Sequence, residues 1–191
     1  MPKGTILARV YFTAGRHPTR WNEFRHYGPT NARFDHQVLN ARNEPFEQDR
    51  SVFYCATDAK TCLAEVFQET RVIDRSRKAP WLVVFELARG VTLVDLTASY
   101  PTRAGASMAI NSRSRVRARA WAQAFYQAYP KLQGIYYASS MHGNAPAVAL
   151  TDRVEAAAVL PTHPMFNRAL TDDAMLDPLK YCAADLRYGL R

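Results

Sequence analysis

Three cysteines are all the thiols in 191 residues, and none of Cys55, Cys62 and Cys182 stands in a C-x-x-C pair. An odd count without paired spacing argues against a disulfide framework and against a zinc site. Two of the three fall at strand or helix core positions, where a free thiol behaves as a small hydrophobe. No run approaches the roughly 18 apolar residues of a membrane span. The start, MPKGTILARVYF, lacks the long apolar stretch of a signal peptide, so a cytoplasmic protein without a membrane partner is expected. Several familiar machineries are missing as well. The chain has no G-x-x-x-x-G-K-[ST] loop, no G-x-G-x-x-G, no H-E-x-x-H and no G-x-S-x-G elbow. Internal repeats and low-complexity tracts are absent too.

What the chain does have is positive charge. Lys and Arg outnumber Asp and Glu by 25 to 17, a net charge of +8, so the partner sought is anionic. Nucleic acid, an acidic protein and a phosphorylated small molecule all qualify on charge alone. The length suits one domain with a sizeable core, expected to fill residues 1–191 with its core at about 5–155 and an extension at 156–191.

Ser51 to Thr70 organises the reading. Ser51-Val-Phe-Tyr-Cys-Ala56 has the content of a buried strand, and Thr57 and Asp58 offer N-cap oxygens. Ala59, Cys62, Leu63, Val66 and Phe67 then recur with the period of one helical face. Glu65 falls on the flank of that face, at a seam between core and cleft beside the strand that carries Tyr54. From this stretch alone the plainer reading is a helix-edge glutamate paired with a surface arginine.

Thr5 to Phe12 is the first strand, with Arg9 inside an apolar run. An arginine there faces solvent, or is an inward cation that must meet an anion. Residues 13 to 50 read as a long, mostly irregular basic segment whose Trp21, Phe24, Tyr27 and Phe34 give it area to pack. Basic residues interleaved with aromatics suit single-stranded nucleic acid and equally a dinucleotide. Trp81–Leu87 and Val91–Leu96 read as a hairpin across Gly90. Arg113 to Tyr129 reads as a helix with Val116, Ala120, Trp121, Ala124, Phe125 and Ala128 inward. Its four arginines, at 113, 115, 117 and 119, crowd the first two turns, which is unfavourable unless an anion or acidic partner lies near. Gly134–Ala138 is a strand ending at Ser139, Ala147–Leu150 reads as the last strand of the sheet, and a short helix is expected near Asp177 to Leu186.

Strand-borne arginines, a tyrosine, one placed glutamate and a serine together resemble the RES domain, a family found largely as bacterial toxins of two-gene toxin–antitoxin modules. The matching pieces are LARVYF with Arg9, NARFDH with Arg33, VFYCAT with Tyr54, TCLAEVF with Glu65 and GIYYASS with Ser139. The resemblance implies an α/β (α+β) fold like the ADP-ribosyltransferases, a single domain with antiparallel sheets flanking an NAD⁺ cleft. It implies NAD⁺ as substrate and no metal, with Glu65, Arg33 and Ser139 catalytic and Arg9, Arg33, Tyr54 and Ser139 binding the dinucleotide. It also implies cleavage of the ribosyl–nicotinamide bond by a glycohydrolase or phosphorylase that depletes cellular NAD. Transfer of ADP-ribose to a protein is the alternative. The implied partner is a cognate Xre-type helix-turn-helix antitoxin covering the cleft, with nucleic acid reached only through it. A basic nucleic-acid-binding domain is the rival of another class, and no helix-turn-helix, zinc-finger or RNP pattern supports it.

The family's arginine motif, G-G-R-[FW]-N, is altered here. Asn31 and Ala32 replace the glycines and Asp35 the asparagine. Side chains in place of glycine hinder backbone approach to a phosphate, and a carboxylate beside a diphosphate weakens its binding. Reduced NAD⁺ affinity is the expectation. Glu69 is the one candidate for a second, substrate-orienting glutamate, since the helix carries no E-x-E or Q-x-E at Glu65.

Overall fold

Along the first strand of the computed structural model, which describes residues 1–191, side chains alternate between two cores. Ala8 and Val10 join one apolar cluster, and Leu7 and Tyr11 the other. A period of two is what a sheet with both faces covered requires. In chain order the elements are β1 (Ile6–Phe12), β2 (Arg25–Gly28), β3 (Phe46–Ala56), α1 (Ala59–Val66) and β4 (Val72–Ile73). Next come β5 (Pro80–Glu86), β6 (Leu93–Asp95), α2 (Tyr100–Arg103), α3 (Arg115–Ala128), β7 (Gly134–Ala138) and β8 (Pro146–Thr151). The chain ends with α4 (Asp152–Ala156), β9 (Phe166–Ala169), α5 (Leu176–Leu186) and β10 (Gly189–Leu190).

The fold is α/β, with a mostly antiparallel sheet in the order β6-β7-β8-β3-β1-β5-β9, β2 pairing with β3 at its rim. Only β6–β7 is parallel within it, and β4 and β10 make a separate parallel pair. The centre is split. β1 meets β3 at the single pair Ala8–Ala56, while β1 and β5 pair along seven residues. Two antiparallel halves therefore diverge from one point. The Cys62 thiol of α1 donates to the Ala8 carbonyl at 3.0 Å, satisfying a backbone group near the split.

On the face covered by α1, α3 and α5, the central strands carry Ala8, Ala56, Ala147 and Ala149. These small side chains let α1 lie close to the sheet and leave a hollow between the bulkier Tyr54 and Tyr137. The opposite face is larger-grained, with Phe53, Val83, Phe85, Val148 and Leu150 packed against Phe24 and α4's Val154.

Four expectations from the sequence need correction. β5 and β6 are not a hairpin: β5 pairs with β1 and β9, and β6 lies beside β7 at the far edge. Local turn chemistry lost to the long-range pairing of a near-continuous apolar strand. Ala147–Leu150 is not the last strand of the sheet, because β9 adds to β5. The segment 13–50 is less irregular than its composition suggests. β3 begins at Phe46, and its first half alternates polar side chains across an exposed rim, a pattern without the apolar signature of a strand. The irregular loop 29–45 is clipped there by two glutamines. Gln37 Nε2 donates to the carbonyls of His26 and Arg50, and Gln48 Nε2 to those of Gly28 and Val38. Finally, α3 buries Ala118, Ala122 and Phe125, and Val116 is 66% exposed. Phe125 is inward as expected, but the rest of the buried stripe is Ala118 and Ala122, whose small size hides the period from a hydropathy count.

Candidate active site

α1 is built to present Glu65. The Asp58 carboxylate accepts from the Thr61 amide at 2.8 Å and so caps the helix, and the buried Thr61 hydroxyl bridges Asp58 and His142. Thr61, Cys62, Leu63 and Ala64 are buried beneath. Glu65 is thereby held on the helix flank, half-buried, and it forms no salt bridge. Its Oε1 accepts one hydrogen bond, from Ser139 Oγ at 2.6 Å. Oε2 has no partner within the protein. The arginine pairing that the sequence left open is not made.

The carboxylate opens on a pocket of about 210 Å³ lined by Asn31, Ala32, Arg33, Tyr54, Glu65, Val66, Gln68, Arg115, Tyr137 and Ser140. Besides α1, β3 brings Tyr54, β7 brings Tyr137, α3 brings Arg115, and the loop before β3 brings Arg33. Tyr54 is part-exposed although its hydroxyl is sealed from solvent without a hydrogen-bond partner, so what it shows the pocket is ring. Burial, then the nearby Asp35, push that hydroxyl well above its ordinary pKa. Tyr137 is likewise pushed well up by burial and by Glu65, so both phenols stay neutral.

Arg33 enters from the rim. One of its terminal nitrogens donates to the carbonyls of Arg113 and Ile110, at 2.9 and 3.2 Å, which leaves its other nitrogens unbonded. Burial and then the adjacent Arg115 lower its pKa, while Glu65 opposes them. Two guanidiniums this close repel, and an anion between them relieves the repulsion. Arg115 is fixed by Gln68 Oε1 at 2.7 Å and the Asn31 carbonyl at 3.3 Å. Phe34 follows Arg33 with φ of 60°, a left-handed backbone that costs a bulky residue about 1–2 kcal/mol. Its fully buried ring, 4.8 Å from that of Tyr137, holds the turn in place.

Arg33, Tyr54, Glu65 and Ser139, separated in sequence, thus converge. Arg9 does not. It points to the opposite face, where its guanidinium lies 4.0 Å from the centre of the Phe53 ring and donates to the Glu23 and Trp21 carbonyls. Burial lowers its pKa to about 10. Residues 7, 9 and 11 share a face by the strand period, and Tyr54 sits on the other. Ser139 also differs from its expected part. It is fully buried and does not line the pocket; it orients Glu65 and accepts from the Met141 amide. Asp35 is no burden on a phosphate, being fully buried against Arg25 at 2.7 Å and accepting from Thr30 N and Gln37 N. It ties the loop that carries Arg33. Glu69 is 81% exposed, outside the pocket, and 4.0 Å from Arg115.

The sequence reading missed Tyr137, Arg115, Gln68, Asn31 and Ser140 as lining residues. Tyr137 had a signal: it stands two positions before Ser139, which directly follows β7, so strand alternation points the two the same way. Gln68, one turn beyond Glu65, had a similar one. Arg115 had none, since only the tertiary fold brings α3 to the loop at 31.

The RES domain profile matches residues 6–174. No curated protein matches the chain. Among solved structures, the fold resembles a chain in the crystal structure of the M. tuberculosis MbcT–MbcA toxin–antitoxin complex, with a TM-score of 0.58 at 14% identity. The match covers 93% of this chain and 90% of that one. With the RES domain profile matching residues 6–174 of 191, the chain belongs to the RES domain family.

Proposed function

We propose that this protein is a toxin that cleaves NAD⁺ at the ribosyl–nicotinamide bond, with Glu65 as the group that stabilises the transition state. One observation carries the reading. A carboxylate with one oxygen fixed by Ser139 and the other free faces a small pocket walled by aromatic rings and rimmed by Arg33 and Arg115.

The chemistry follows from the bond. Nicotinamide in NAD⁺ is a cationic ring suited to stacking on an aromatic face such as that of Tyr54. When the ribosyl C–N bond breaks, its electron pair goes to the ring nitrogen and the ring leaves neutral. No general acid is required, unlike ordinary glycoside hydrolysis with its pair of carboxylates. Positive charge develops on the sugar instead. The free Oε2 of Glu65 would accept from the ribose 2′-hydroxyl and face that charge, an electrostatic contribution of roughly 3–4 kcal/mol. Arg33 and Arg115 would meet the diphosphate by charge-assisted hydrogen bonds. Water then gives ADP-ribose and a proton, and inorganic phosphate gives a phosphorylated ADP-ribose. Exposed Glu69, outside the pocket, favours these small nucleophiles over a protein side chain.

The basic composition does not favour nucleic acid. Arg25 is spent on Asp35, and Arg50 on the His36 carbonyl and the Tyr126 ring. The toxin reading brings an inhibitor with it, an Xre-type antitoxin covering the pocket. No helix of the structure is long and apolar enough to cross a membrane, and the cytoplasm, where NAD⁺ is held, is the proposed site of action.

The test is product identification. Purified protein incubated with NAD⁺, with and without inorganic phosphate, should release free nicotinamide together with ADP-ribose or its phosphorylated form. Intact NAD⁺ after prolonged incubation would overturn the assignment.

A further inference from the structure

The four arginines at the start of α3 separate into two pairs with different fates. Arg115 and Arg119 are committed to the loop before β3: Arg115 to the Asn31 carbonyl, Arg119 to the Thr30 carbonyl and Asn31 Oδ1. Arg113 and Arg117 are exposed, and their guanidiniums make no hydrogen bond or ion pair. Arg117 and Trp121 lie one turn apart on one side of the helix, and Arg113, just before its cap at Ser114, stands beside them. Together they wall a cavity of about 650 Å³, completed by residues 105–107, Ala109, Ile110 and Ser114. It is the larger hollow, and it adjoins the Glu65 pocket across one side chain. Arg33, which lines the smaller pocket, donates to the carbonyls of Ile110 and Arg113, which line the larger.

Size and charge then divide a dinucleotide. A pocket of about 210 Å³ falls below the roughly 300–1,000 Å³ of sites that bury a whole drug-sized ligand. It suits a nicotinamide riboside end and leaves the rest outside. The ADP half carries the negative charge and a second flat ring, and two unpartnered guanidiniums beside an indole are complementary to both. A hollow of about 400 Å³ on the other flank of α3, lined by Leu39, Val116 and Arg119 among others, offers one guanidinium that is already engaged.

We propose that the cavity lined by Arg113, Arg117 and Trp121 binds the ADP half of the substrate, the diphosphate reaching it past Arg33 and the adenine lying against Trp121. This rests on the reading of the Glu65 pocket as the place where NAD⁺ is cleaved. Arg119 shapes the loop at Asn31–Arg33, Arg33 and Arg115 meet the diphosphate where it leaves the smaller pocket, and Arg113 and Arg117 add affinity for the rest of the ADP half.

The experiment measures ADP binding by calorimetry, which needs no turnover, alongside KM and kcat for NAD⁺. The double variant R113E/R117E should weaken ADP and raise KM for NAD⁺ at least tenfold, with kcat within about twofold of wild type. Trp121→Ala should weaken ADP by about tenfold; because Trp121 packs on Phe125, Trp121→Phe serves as the version that keeps the helix seated and should recover most of the affinity. Val116→Glu, on the other flank, should change neither quantity. Unchanged ADP affinity in R113E/R117E, no ADP binding to the wild type, or a loss confined to Val116→Glu each overturns the proposal. Release of nicotinamide with no ADP binding removes the cavity's role and leaves the reaction standing. ADP binding with no nicotinamide release removes the reaction and leaves the cavity as a nucleotide site.

Discussion

At the scale of single residues, Ser139 and Glu65 form one unit, and the serine acts through the acid. Its hydroxyl is fully buried and donates to Oε1, so the oxygen that faces the pocket is the other one. Ser139→Ala removes a charge-assisted hydrogen bond worth about 1.5–3 kcal/mol and frees the carboxylate to rotate. The expected outcome is a fall in kcat of about tenfold to a hundredfold with KM for NAD⁺ little changed; a KM effect alone would make Ser139 a ligand contact. Arg33 stands differently, with part of its guanidinium holding the Ile110 and Arg113 carbonyls. Arg33→Ala should raise KM more than it lowers kcat, and an unchanged KM would remove it from the phosphate site. Asp35, which as a sequence position looked unfavourable for an anion, supports this arginine from behind. Asp35→Ala would leave Arg25 without its partner and two amides without their acceptor, a loss on the order of 3 kcal/mol seen in the denaturant midpoint.

At the scale of elements, α1 is the piece whose seating sets the acid's position. It has only eight residues, too short to hold itself, so its cap and its buried side carry it. Asp58→Ala should cost about 1 kcal/mol and lower Tm by about 2–4 °C, measured by calorimetry. The β3–α1 pair was readable in advance because two strong periods, two and 3.6, follow each other with a cap residue between. So were β1, β5, β7, β8 and α5, which are runs of apolar or β-branched residues or well-formed helical stripes. The arrangement of those strands was not readable. A hairpin inferred from Gly90 gave way to β5 pairing with β1, because register between distant strands leaves no mark in local sequence. α3 hid its inward face behind alanines, and the first half of β3 hid as a polar rim. The same limits apply to the site. Tyr54 and Glu65 lie on elements with clear periods, whereas Ser139 follows the end of β7 and is buried behind the acid, and the strand period sets Arg9 across the sheet from Tyr54.

At the scale of the whole molecule, the last third of the chain is tied back to the rest through carboxylates. Asp152 begins α4, accepts from Tyr126 Oη at 2.9 Å and lies 3.1 Å from His36 in the loop before β3. Burial alone would raise its pKa, but its hydrogen bonds to His36 and Tyr126 outweigh that and hold it low. Asp74 is held low chiefly by the Arg77 amide, with Arg191 and Ser76 adding to it. Carboxyls with a lower pKa folded than unfolded contribute stability that is present above the unfolded value of about 3.9 and is lost as pH falls through the folded one. Tm should therefore hold from neutral pH to about pH 4 and drop below it. Asp152→Asn should flatten that acid limb, and an equally steep fall in the variant would place the sensitivity elsewhere.

The central claim is that a single carboxylate stabilises a sugar turning cationic as a neutral ring departs. It is tested most directly by the rate of nicotinamide release from saturating NAD⁺ by wild type and by Glu65→Gln, with Tm recorded for both. The account predicts brisk release by the wild type, a loss of at least about 10² in the variant, and melting temperatures within a few degrees. Release by the variant at the wild-type rate, with the fold intact, would contradict it.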